Sequence, residues 1–200
     1  MRFKKMNNIR YVALFGVLVL CTFCFSLSYA KSYKENITVE IYEKEIKINN
    51  KHCRLIGKKA NELRQAFGEP DFISGTFGGF DYFYYDYDIS PIVKDDNNIE
   101  SIDFCFYNLK EFIENHKYEK GRISGVNVDG LFLTPNSKYE DISNLLFNKK
   151  IICKKKENRT SFIIAVDDFK GKYLFMRFDK ENENKILNIT IAEAYVFTKK

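Results

Sequence analysis

Leu63 and Phe67 lie four residues apart on a short amphipathic stretch, and 79 residues further on Ile142 and Leu146 repeat the pair. Around these two helical stripes the apolar residues mostly alternate with period two, the signature of half-buried strands. Neither a short helix nor a one-sided strand can bury its apolar face alone, so the helices must lie on sheet. The expected fold is α+β: antiparallel sheet with two short helices on one face, and a strand-strand-helix-meander unit that occurs twice. Residues 31–115 and 116–200 are the two expected repeats, as separate units or as one continuous domain.

In the first repeat, residues 37–41, 45–48 and 53–56 are predicted strands, and 58–67 a helix ended by Gly68 and Pro70. Glycine accepts the left-handed cap and proline cannot continue the helix. Residues 72–76, 80–89 and 99–107 form a predicted meander, with 91–98 as a turn. Residues 108–121 form a charged connector, helical at its start through Leu109, Phe112 and Ile113. In the second repeat, 123–128 and 131–133 are strands, and Ser137-Lys138-Tyr139-Glu140 fits a capping box. Tyr139, Ile142, Leu145 and Leu146 make the stripe of that helix, and strands follow at 151–155, 161–166, 172–178 and 186–197.

The N-terminus reads as an export signal. Arg2, Lys4, Lys5 and Arg10 precede an apolar stretch from Tyr11 to Leu27, and Ser28-Tyr29-Ala30 places small residues three and one positions before a cut. Residues 1–30 are therefore a predicted signal peptide cleaved after Ala30, which makes the mature protein periplasmic or secreted. A retained N-terminal anchor is the alternative, and the only expected route to a membrane. Removing the signal takes four of the 32 basic residues and leaves 28 against 27 acidic, a net charge of +1. That balance gives no reason to expect nucleic acid as a partner. The basic run Lys149, Lys150, Lys154, Lys155, Lys156 and Arg159 reads as a solvated hairpin, since lysines keep sheet edges soluble. Cys53, Cys105 and Cys153 remain after cleavage, so one disulfide at most can form, with three pairings open.

Leu55-Ile56-Gly57, the helix carrying Glu62-Leu63, the stop Phe67-Gly68-Glu69-Pro70-Asp71 and the aromatic strand after it resemble a bacterial envelope pattern. The pattern is similar to the outer-membrane-assembly lipoprotein family SmpA/OmlA and to the tandem β-lactamase-inhibitor-like fold. It also resembles uncharacterised families, some considered immunity proteins against toxins of rival bacteria. The resemblance covers about residues 53–107 and extends to the second half by element order. It implies binding rather than catalysis.

Catalytic chemistry finds little support in the residues. His52 adjoins Cys53, but consecutive strand residues point to opposite faces, which keeps a thiol and an imidazole apart. No spacing of His, Cys and carboxylates fits a metal site, and Gly75 to Gly79 precede no helix that would aim amides at a phosphate. No cofactor, metal or catalytic residue is expected. The unusual segment is Phe80-Asp81-Tyr82-Phe83-Tyr84-Tyr85-Asp86-Tyr87-Asp88-Ile89. Alternation would put Phe83, Tyr85, Tyr87 and Ile89 toward the core and present Tyr82, Tyr84, Asp86 and Asp88 on the opposite face. Tyrosine supplies contact area at low entropic cost, so those four residues are the candidate partner-binding set; the alternative is that the tyrosines cover a second sheet face under the helix or connector. The expected function is an exported, non-enzymatic protein-binding module, such as an immunity or inhibitor protein facing a toxin. An envelope-assembly or structural component is the alternative.

Overall fold

Period-two patterning in this chain yields two sheets. The structure, a computed structural model, describes residues 36–42, 45–49, 51–53, 57–76 and 78–193. The predicted signal peptide and its cleavage site lie outside the described residues, as do Leu55 and Ile56 and the side chains of His52 and Cys53. From Asn36 onward the chain is one compact unit. No helix of the described residues is long and apolar enough to cross a membrane.

The smaller sheet contains β1 (Ile37–Tyr42), β2 (Glu45–Ile48), β3 (Lys51–Cys53), β8 (Ile123–Val128) and β9 (Leu131–Leu133), in the order β3-β2-β1-β8-β9. The larger contains β4 (Phe72–Thr76), β5 (Gly79–Phe83), β6 (Ile89–Lys94) and β7 (Ile99–Cys105) from the first half. Its other strands are β10 (Lys154–Glu157), β11 (Ser161–Val166), β12 (Lys172–Asp179) and β13 (Lys185–Glu193). The order β10-β11-β12-β13-β7-β6-β5-β4 joins the two halves where β13 pairs β7.

The expectation of antiparallel pairing throughout is corrected at one place, because β1 and β8 run parallel, with Val39 opposite Val126 and Ile41 opposite Val128. A parallel pair requires a long crossover, and here the chain between Tyr42 and Ile123 supplies it. Ile37, Val39, Ile41, Val126 and Val128 bury one face of this sheet.

Among the described residues three short helices accompany the sheets, one more than the two-helix scheme. Helix α1 (Ala60–Phe67) buries Ala60, Leu63 and Phe67 and ends at Gly68, whose φ of 86° suits glycine. Helix α3 (Tyr139–Asn148) buries Ile142 and Leu146. Both stripes join one core with the inner faces of the two sheets. Phe67 meets Tyr84 at 5.7 Å, and Tyr139 meets Phe162 at 5.1 Å, so each helix rests on the meander that follows it in the chain. The third helix, α2 (Leu109–Asn115), grows from the connector and is capped by Asn108, whose side chain accepts from the Glu111 amide at 3.2 Å. Leu109 packs with Phe83 and Cys105 in a separate cluster. Cys105 alternates with Phe104 along β7, so α2 covers the face of the large sheet opposite to α1 and α3.

Local chemistry explains other departures. The capping box at Ser137 does not form: its Oγ accepts from the Thr134 amide at 2.9 Å, and Lys138 occupies the cap position without a side-chain bond. Leu145, expected in the stripe, is exposed. Pro91, expected in a turn, lies within β6, where β5 pairs only with Ile92 to Lys94 and so does not need the missing proline N–H.

The sheets are joined by charge as well as by packing. Asp129, in the β8–β9 turn, receives the Lys172 ammonium at 2.6 Å, and both side chains are 5% exposed. Lys170 Nζ adds a bond of 3.0 Å to the Asp129 carbonyl.

Candidate protein interface

The aromatic segment after Gly79 does not run as one strand, and the expected exposed set is divided. Strand β5 stops at Phe83; Tyr84 bridges to Ile89, and residues 85–88 form the turn between them. Asp88 takes up a left-handed conformation with φ 51°, which aspartate tolerates and which breaks the alternation. The observed exposures correct the reading of Tyr82, Tyr84, Asp86 and Asp88 as a single presented face. Tyr82 and Tyr84 point into the core, 7% and 1% exposed, and Asp88 is 1% exposed.

Each buried member has a structural role. Tyr82 lies under the Arg64 guanidinium, 5.8 Å from its ring centroid. Tyr84 packs on Phe67 while its hydroxyl meets no hydrogen-bond partner, and burial pushes its pKa far up. Asp88 ties three segments together: Oδ1 accepts from the Leu109 amide at 2.9 Å, Oδ2 from the Arg122 amide at 2.6 Å, and its carbonyl from the Cys105 amide at 2.9 Å. Burial raises its pKa, and the two amide bonds to its carboxylate oppose the rise. Only Asp86 faces solvent, paired with Arg122 at 2.8 Å.

The exposed apolar surface at this end of the sheet belongs to neighbouring residues. Phe72 and Ile73 of edge strand β4 are 45% and 43% exposed, and Phe80 of β5 is 44% exposed. Phe72 stands opposite Phe83 with ring centroids 5.5 Å apart, while Ile73 stands opposite Tyr82. The strand reads Phe-Ile-Ser-Gly-Thr and contains no charge, proline or shielding lysine. The opposite edge of the same sheet, β10, reads Lys-Lys-Lys-Glu and is exposed throughout. Lysines on an edge hinder a foreign strand from pairing there; an uncharged edge with exposed aromatic and β-branched side chains invites it.

Electrostatics distinguishes the two edges further. Residues 69–88 hold Glu69, Asp71, Asp81, Asp86 and Asp88 with no lysine or arginine. Asp71 accepts from the Tyr85 amide at 2.7 Å, and Glu69 pairs with Arg64 at 3.2 Å. Residues 143–160 hold five lysines and an arginine against the single acid Glu157. The large sheet is therefore acidic at its β4 end and basic at its β10 end.

A second group of ionisable side chains lies on the face of the large sheet that α2 partly covers. Asp103 of β7 stands between Ser90 of β6 and Thr190 of β13. Burial pushes its carboxyl up to about 6, against a hydrogen bond from Thr190; nearby Asp81 raises it further and Arg177 pulls it down. Its Oδ1 is buried without a hydrogen-bond partner. A carboxyl tuned in this way can exchange a proton near neutrality. Among the described residues, no group of three His, Cys, Asp or Glu side chains converges in an arrangement that could hold a metal ion. Cys105, buried, and Cys153, exposed, are both free thiols.

Of the four residues expected to be presented together, the structure leaves Asp86 alone at the surface. Phe72 and Ile73 were available as the uncharged, apolar strand beside the aromatic segment; their edge position depends on sheet order, which local pattern does not encode.

No protein-family model and no curated protein matches this chain. Among solved structures, an extracellular protein containing a SCP domain from Bacillus anthracis str. Ames is similar to it with a TM-score of 0.44 and 13% identity. The match covers 70% of this chain and 44% of that one, so the chain spans less than half the length of the protein it resembles.

Proposed function

We propose that this chain is an exported, non-enzymatic protein-binding module whose partner docks on the β4 edge by adding an extended strand. The observation that carries the reading is the contrast between the two edges of one sheet: β10 is guarded by three lysines, whereas β4 carries no charge and exposes Phe72 and Ile73. Strand addition takes affinity from main-chain hydrogen bonds and specificity from alternate side chains. Phe72, Ile73 and Phe80 are suited to supply that specificity. The acids around this edge favour a basic partner whose association weakens with salt. An inhibitor that blocks an incoming toxin is the form of this function that the family resemblance implies.

Duplication belongs to the same proposal. A four-strand meander from each half, with a short helix packed on each and the last strands β7 and β13 adjoining, supports descent of both halves from one unit. Export rests on the Arg2 to Ala30 pattern.

The test is affinity capture from the host envelope and from competitor secretions, comparing the wild-type chain with Ile73→Lys and with Lys156→Glu at the opposite edge. Ile73→Lys should lose the partner while Lys156→Glu retains it. Equal capture by all three proteins would remove the β4 edge from the account.

A further inference from the structure

The other end of the large sheet exposes a different surface. Helix α3 ends with Phe147 80% exposed, and five residues later Ile152 is 85% exposed. These two side chains, with Lys150 and Cys153, border a surface hollow of about 690 Å³. Both side chains stand largely in solvent at the rim of this hollow, as apolar groups that enter a fluid interface do. Lys150 shares the hollow, and further lysines flank the two residues along the chain. Lys154 is engaged by Asp167 and Lys155 by Glu157, while Lys149, Lys150, Lys156 and Arg159 are exposed along the same segment.

Exposed apolar side chains within a lysine-rich segment are the chemistry of interfacial membrane binding, in which apolar groups enter the headgroup boundary and cations meet anionic lipid. We infer that the α3–β10 end docks on an anionic bilayer surface, with Phe147 and Ile152 inserted and Lys149, Lys150 and Lys156 over the headgroups. This surface lies on the opposite edge from β4, and the inference stands on its own observations. It also gives a role to the basic run beyond solubility. The positive charge is spread along residues 149–159 instead of being gathered at one point, which favours a lipid surface over an acidic protein or a second copy of the chain.

The experiment uses the protein purified from its host in the form the host exports. It is mixed at low salt with vesicles of phosphatidylcholine and phosphatidylglycerol in equal parts, and separately with pure phosphatidylcholine vesicles. Cosedimentation should occur with the anionic vesicles and fall with added salt. Phe147→Ser combined with Ile152→Ser should lower the partition coefficient by more than about tenfold, because two apolar side chains no longer leave water. Each of Lys149→Gln, Lys150→Gln and Lys156→Gln should lower it by about fivefold. Phe147→Trp provides an independent readout, since its emission should shift to the blue on anionic vesicles. Equal binding to neutral vesicles, unchanged binding by the double variant, or an unshifted tryptophan would overturn the inference. So would vesicle-free self-association that the double variant abolishes.

Discussion

Asp103→Asn should stabilise the protein above neutral pH and do much less in acid. In the folded chain the Asp103 carboxyl is pushed up to about 6 by burial, with Oδ1 lacking a partner. An unfolded aspartate ionises near pH ~4. Below that value both states hold the proton, and the group is neutral toward folding. As pH rises from about 4 to about 6 the unfolded chain releases its proton first, so stability falls through this window and stays reduced above it. A tenfold displacement in acidity is worth about 1.4 kcal/mol, and the displacement here amounts to about 3 kcal/mol. Asparagine keeps the shape and removes the charge. Urea unfolding of both proteins at about pH 4 and about pH 8 supplies the comparison, and the stability difference between them should change by about 3 kcal/mol in favour of the variant at the higher pH. Taking the difference across pH cancels any fixed cost of fitting the amide beside Thr190. A stability difference that does not vary with pH would refute the reasoning.

Two further perturbations test the packing. Lys172→Ala leaves the Asp129 carboxylate buried and should cost about 3–5 kcal/mol; combining Lys172→Met with Asp129→Asn should recover much of that, as a double-mutant cycle by denaturant titration would read. Tyr84→Ala should cost about 3–5 kcal/mol as a core truncation, while Tyr84→Phe should stay within about 1 kcal/mol of wild type, since the lost hydroxyl had no partner. Thermal unfolding of the two variants separates these outcomes, and similar losses for both would show that the Tyr84 hydroxyl matters.

What local pattern can and cannot convey is visible in these residues. Leu63 and Phe67, and Ile142 and Leu146, announced buried helix faces because a helical stripe needs only its own spacing. Phe72 to Thr76 is a strand with the bounds its composition suggested. Asp88 was misread because its left-handed turn depends on amides from Leu109 and Arg122, 21 and 34 residues away. Tyr82 and Tyr84 do alternate with Phe83 and Tyr85, but their face lies on the main core while the other meets α2, and which face is inner is decided by the assembled sheets. The parallel register of β1 on β8 was hidden for the same reason: it joins strands about 90 residues apart, and the alternation of each looks the same in either direction. Leu145 fits the stripe by spacing yet is exposed, which only the assembled fold shows.

The decisive measurement is amide hydrogen exchange across the chain, free and in complex with the partner that capture yields. Strand addition should slow exchange at the outward amides of Phe72 to Thr76, with β10 unchanged. Protection concentrated elsewhere, with the β4 amides exchanging as in the free protein, would contradict the account.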